Sequence, residues 1–127
     1  MEHTPGFLAL VKDAKSRVKE TSVEEVQERL RRGADFVFID TREEHEWNEA
    51  HANGAKFLSK GIIEREIEHE VPDKSKEIVL YCGGGFRSAL AADNLQKMGY
   101  TNVLSMSGGW KAWKSSGAPM TTGDKVH

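Results

Sequence analysis

Six consecutive residues have the types and spacing for nucleophilic chemistry: Cys82, Gly83, Gly84, Gly85, Phe86 and Arg87. An apolar run, Ile78-Val79-Leu80-Tyr81, precedes them, and a helix-like run, Ser88-Ala89-Leu90-Ala91-Ala92, follows. The chain's one cysteine therefore falls where a buried strand turns through three glycines into a helix. The thiolate is the nucleophilic form of cysteine, and a helix N-terminus or a nearby cation favours it. Both are expected here, from the helix opening near Ser88 and from Arg87. Gly83, Gly84 and Gly85 carry no side chains, so their peptide N–H groups can converge on one anionic centre. The plainer alternative is an inert structural cysteine in a tight turn.

The surrounding elements are expected to place this turn at a sheet edge. Phe7, Leu8, Val11, Ala14 and Val18 line one face of a helix over 5–19, with Thr4 as N-cap and Pro5 at N1. Ser22 and Glu25 form a capping-box pattern opening a second helix that Gly33 closes. Residues 35–39 read as a buried strand, and Thr41 to Glu44 as a second capping box for a helix through about Ala50. A turn at Asn53-Gly54, a short strand over 55–58 and a charged helix over 62–70 follow. The strand over 77–81 leads into the cysteine loop and a helix over 88–98 leaves it. A strand over 102–106 and a helix over 109–116 complete the pattern, with Trp110 and Trp113 expected in the core. Alternating strands and helices imply a parallel α/β sheet covered on both faces, with ligands at the carboxyl ends of its strands. Cys82 lies at such an end.

Five segments resemble one family, in order along the chain. Cys82 through Arg87-Ser88 resembles the active-site loop of rhodanese-type sulfurtransferases, with four residues between cysteine and arginine. Asp40-Thr41-Arg42-Glu43-Glu44 resembles the family's strand-end motif, and His51-Ala52-Asn53-Gly54-Ala55 its His-x-x-Gly-Ala turn. Gly99-Tyr100 and Gly108-Gly109-Trp110-Lys111-Ala112-Trp113 resemble two further segments. Asn53 stands where the family more often has proline, and Thr41 where it often has valine. The resemblance implies a three-layer α/β/α rhodanese-like fold with a mostly parallel sheet of about five strands. It would span 21–118, after an accessory amphipathic helix over 1–20 and before a flexible tail over 119–127.

It also implies a sulfur relay through Cys82. The donor would be thiosulfate or a persulfide, and the acceptor cyanide or a thiol, small or on a protein. Gly83, Gly84, Gly85, Phe86, Arg87 and Ser88 would bind substrate, with Asp40 and Arg42 in support. Ser88 either caps the helix or donates to the sulfur, and Phe86 either shapes the pocket rim or packs. Asp40 orients the loop or satisfies local backbone N–H groups. Arg42 is expected to pair with Glu43 or Glu44. Nothing places His45 or His51 near Cys82, and Lys60 could add positive potential. The rivals are a phosphatase or arsenate reductase on the same fold, whose loops are one residue longer, and a non-catalytic binding or sulfur-carrier module.

Composition bounds these readings. At 127 residues and 38% hydrophobic, the chain suits one core. A net charge of −2 suggests no polyanion-binding surface, so no nucleic-acid partner is expected. No apolar run reaches the ~20 residues of a membrane span, and no signal-peptide pattern opens the chain. A single cysteine points to a reducing, cytoplasmic setting, and the scattered histidines to no metal. No cofactor is implied, and a monomer or weak homodimer is expected.

Overall fold

The computed structural model of the protein describes residues 3–122. Five strands form the central sheet: β1 (Lys19–Thr21), β2 (Val37–Asp40), β4 (Lys56–Phe57), β5 (Ile78–Tyr81) and β6 (Val103–Met106). They stand in the order β1-β6-β5-β2-β4, and every pairing is parallel. All strands thus end on one edge, where Asp40, Cys82 and the chain after Met106 meet. Being central, β5 is held on both sides.

Alternation along β5 splits the core in two. Ile78 and Leu80, with Ile39 and Val103, pack against α4 (Ile63–Glu70) and α5 (Phe86–Lys97) through Ile63, Ile67, Ala92 and Leu95. Val79 and Tyr81, with Phe38 and Met106, pack against α2 (Val23–Arg31) and α6 (Gly109–Ser115) through Val26 and Trp113. The expected three-layer α/β/α architecture is what forms.

Helix ends follow their capping residues. Thr4 Oγ1 accepts from the Phe7 amide at the start of α1 (Pro5–Lys15). Ser22 and Glu25 form the expected capping box on α2. α1 stops at Lys15, short of the expected Lys19, because residues 19–21 leave to pair with β6. The end of α1 is held to α5 by Arg17, whose guanidinium donates to Asp93 at 2.7 and 3.0 Å. The expected Thr41 capping box is absent: the Thr41 hydroxyl donates to Tyr81 O, and Glu43 is the N-cap of α3 (Glu44–Glu49). There the Glu46 carboxylate accepts from the Glu43 amide at 2.8 Å.

A second, two-stranded antiparallel sheet joins β3 (Ala50–Ala52) to β7 (Met120–Thr122). β7 lies inside the segment expected as a tail. Pro119 O anchors it, accepting from Trp113 Nε1 at 2.8 Å and from the Asn53 amide at 3.1 Å. The rest of that segment, 123–127, lies outside the described residues. No helix among the described residues is long and apolar enough to cross a membrane.

Candidate active site

The Cys82 loop is shaped by where glycine permits a left-handed turn. Gly85 has φ +100° and is the N-cap of α5, so the helix begins at Phe86 and not, as expected, at Ser88. The two-residue advance turns the first amides of α5 onto the sulfur. Cys82 Sγ accepts from the Gly85 amide at 3.1 Å and from the Ser88 amide at 3.3 Å. The Ser88 hydroxyl lies 3.5 Å from Sγ and shares a 2.8 Å hydrogen bond with the Ser105 hydroxyl of β6. Ser88 is therefore no cap; it is a buried link between the sulfur and the sheet.

A second helix fastens the loop from above. The Trp110 amide donates to Cys82 O at 2.7 Å and the Lys111 amide to Gly83 O at 3.1 Å. This approach needs Gly109, at φ +52°, because a Cβ there would stand 2.9 Å from the Gly83 carbonyl carbon. The carbonyls of Cys82 and Gly83 face α6; of the three glycine amides expected on the sulfur only that of Gly85 reaches it, and the second donor is the Ser88 amide of α5.

Cys82 is only 1% exposed and forms part of the floor of a cavity of about 730 Å³. Gly83, Gly84 and Phe86 line it from the loop, and Trp110 and Lys111 from α6. His3, Thr4 and Phe7 close one side. The Phe86 ring is held between α1 and the residue before its cap, with His3 at 4.6 Å, Phe7 at 6.1 Å and Lys15 Nζ at 5.3 Å from its centroid. Phe86 is both rim and packing residue, and the α1 segment is a wall of the cavity.

Arg87 lines the cavity, but its fork is engaged. Nη1 donates to Glu46 Oε1 at 3.0 Å and Nη2 lies 3.5 Å from Oε2. Burial alone would push the Glu46 carboxyl up. Hydrogen bonds from Arg87 and the Glu43 amide, with the Arg87 charge, outweigh it and hold Glu46 below the usual carboxylate range.

Asp40 and Arg42 form a buried ion pair behind the loop, at 0% and 3% side-chain exposure. The Asp40 carboxylate accepts from the Arg42 amide and guanidinium and, at 2.6 Å, from the Tyr81 hydroxyl. Burial first, then the Asp40 charge and hydrogen bond, push the Tyr81 phenol up, so it remains a donor. Arg42 also donates to Ala50 O at 2.7 Å and lies 4.6 Å from the Trp110 ring centroid. The pair thus ties β2, β3 and β5 together, and Arg42 takes Asp40 as its partner where Glu43 or Glu44 was expected. Neither residue lines the cavity over Cys82.

His51 stacks on Trp47 at 3.4 Å, Lys60 pairs with Glu64, and neither they nor the exposed His45 line that cavity. Trp113 is core as expected, while Trp110 is half-buried at the cavity. Sequence reasoning missed Glu46, Lys111, His3 and Phe7. The partners of Arg87 and Phe86 lie on other elements, and no local spacing marks them. Among the described residues no group of three or more His, Cys, Asp or Glu side chains is arranged to hold a metal.

The site is thus a buried cysteine at the carboxyl edge of a parallel α/β sheet, its sulfur accepting from two backbone amides at the start of the following helix. A family model, the rhodanese-like domain, matches residues 22–116. The chain belongs to this family. It is 32% identical over 103 residues to a sulfurtransferase of Allochromatium vinosum, covering 81% of this chain and 94% of that protein. A Rhodopseudomonas palustris structure, described as of unknown function and a possible tyrosine phosphatase, superposes with TM-score 0.80 at 29% identity, covering 95% and 98% of the two chains. The polysulfide-sulfur transferase homodimer of Wolinella succinogenes gives 0.79 at 26%, covering 96% and 91%. The chain spans 24% of the length of two longer Mycobacterium tuberculosis relatives that it matches at 30% identity over 95 residues.

Proposed function

We propose that the protein is a rhodanese-type sulfurtransferase that carries sulfur as a Cys82 persulfide. The observation behind this reading is the pair of backbone amides on Sγ, 3.1 and 3.3 Å away, at the floor of an open cavity. Such donors favour an anion on sulfur without needing a side chain to titrate. The Cys82 thiolate attacks the outer sulfur of thiosulfate or of a persulfide. A sulfur–sulfur bond forms to Cys82, the donor's own bond breaks, and the electron pair leaves with sulfite or a thiolate. An acceptor thiolate then takes the outer sulfur and returns Cys82. Two easier steps replace one hard one.

Gly85 and Ser88 supply the amides on the sulfur, Gly83 and Gly84 line the cavity beside it, and Phe86 shapes its mouth. Arg87 positions the loop through Glu46, while Asp40 and Arg42 brace the strand ends. With one cysteine in the chain, the acceptor sulfur comes from a second molecule, and a reducing compartment such as the cytoplasm suits the free thiol.

A phosphatase reading draws on the Rhodopseudomonas palustris relative. The gap of four residues between Cys82 and Arg87 supports the sulfur reading, since a smaller ring suits a sulfur atom better than a tetrahedral phosphate. Intact-protein mass after incubation with thiosulfate tests it. A gain of one sulfur atom is expected, absent in Cys82→Ser. Hydrolysis of an aryl phosphate with no sulfur gain would overturn the proposal.

A further inference from the structure

The cavity over Cys82 is far larger than a small sulfur oxyanion requires. Its volume, about 730 Å³, falls within the roughly 300–1,000 Å³ that encloses drug-sized ligands. Its walls are chemically unequal. On one side stand the rings of His3, Phe7 and Phe86, with centroids 4.6 to 6.1 Å apart. To the same lining α6 contributes Lys111, whose amide is fixed to Gly83 O.

The two cations that line the cavity differ in engagement. Arg87 is held by Glu46 through both terminal nitrogens. Lys111 is exposed and pairs with no carboxylate among the described residues. An incoming anionic group therefore meets Lys111 as the cation with unspent charge.

We propose that Lys111 and the His3–Phe7–Phe86 wall form a selectivity subsite for an organic persulfide that bears a carboxylate. Lys111 pairs with the carboxylate, the rings cover the carbon skeleton, and the persulfide end reaches Cys82. The inference rests on sulfur transfer at Cys82 and adds its substrate class. In the transfer the Cys82 thiolate bonds to the outer sulfur of R–S–S–H. The donor's S–S bond breaks, and its electron pair leaves on RS⁻, which takes up a proton. The sulfane sulfur changes partner, and no external oxidant or reductant is consumed. The α1 segment, outside the residues that the family model matches, then becomes part of the substrate site.

The test is single-turnover sulfur loading of Cys82, followed by intact mass, with two donors. One is glutathione persulfide, which carries carboxylates; the other is mercaptoethanol persulfide, which carries none. Lys111→Ala should raise the half-saturating concentration of the glutathione donor about fivefold, and Lys111→Glu about twentyfold, with Lys111→Arg within about twofold. Phe7→Ala should raise it about threefold. The mercaptoethanol donor should shift by less than about twofold in the Lys111 variants, because it offers no charge to pair. Equal shifts for both donors, or none in Lys111→Glu, overturn the subsite alone. Wild-type protein that gains no sulfur from either donor or from thiosulfate overturns the transfer reaction as well.

Discussion

Gly109→Ala should separate the fold from the site with one methyl group. The new Cβ would overlap the Cys82 carbonyl oxygen and stand 2.9 Å from the carbonyl carbon of Gly83 and 3.0 Å from that of Cys82. Unstrained carbon contacts fall near 3.5–4.0 Å, so α6 must retreat by more than about half an ångström. That retreat stretches the hydrogen bonds from Trp110 and Lys111 to the loop carbonyls, now 2.7 and 3.1 Å. Each bond contributes about 0.5–1.5 kcal/mol, and a non-glycine residue at φ +52° costs at least about 1 kcal/mol more. The total is roughly 2–4 kcal/mol, which lowers Tm by about 10 °C in a domain of this size. The loop carbonyl turns with α6 and carries Sγ off its two amide donors, so the rate of sulfur loading should fall about a hundredfold. Calorimetry and mass-detected loading read the two effects. Two comparison glycines calibrate them. Gly33 has φ +70° with nothing within 4 Å, so Gly33→Ala should cost about 1 kcal/mol from strain alone. Gly84 has neither a close neighbour nor a positive φ, so Gly84→Ala should melt within about 2 °C of wild type. A Gly109→Ala protein that melts with wild type and loads sulfur at the wild-type rate would refute the clamp.

Asp40→Ala strands the Arg42 guanidinium, only 3% exposed, and removes the acceptor of the Tyr81 hydroxyl. The expected loss is about 3–5 kcal/mol by chemical denaturation. A loss under about 1 kcal/mol would show that water or Ala50 O satisfies Arg42 unaided. Acid should loosen α1. The hydrogen bond from Arg17 chiefly holds the Asp93 carboxyl below its ordinary value. A depressed folded-state pKa gives stability that is complete above about pH 4 and lost as pH falls through the folded value. Amide exchange in α1 should quicken over that range, and Asp93→Asn should flatten the dependence; an unchanged profile in Asp93→Asn would count against the pair.

What was legible in the chain follows from how local each signal is. The strand–glycine–helix turn at Cys82 needs only contiguous residues, and so does the Ser22–Glu25 capping box. The capping box stands as expected, and so does the order strand, glycine turn, helix at Cys82. The start of α5 was misplaced by two residues because a left-handed Gly85 replaces the side-chain cap that was sought. The strands β1, β3 and β7 were missed because three-residue segments such as Lys19-Glu20-Thr21 have no apolar alternation; partners from distant sequence define them. The partner of Arg87 lies outside local spacing for the same reason, whereas Asp40 is only two residues from Arg42 and is set apart from Glu43 and Glu44 by its burial. Glu46 reaches Arg87 across 41 residues, and the Asp40 carboxylate outcompetes its chain neighbours because it is already buried beside Tyr81.

The fastening of the Cys82 loop by α6 also sets an order of assembly. During synthesis the cysteine emerges well before Trp110 and Lys111, the residues whose amides fix its carbonyl and that of Gly83. Its strand partner β6 and the Ser105 hydroxyl also arrive later than the thiol. A nascent chain therefore presents a bare thiol on an unpaired strand edge, without the enclosure that later restricts access to it. The enclosure of Cys82 is therefore complete only once α6 has followed and its amides have closed on the loop.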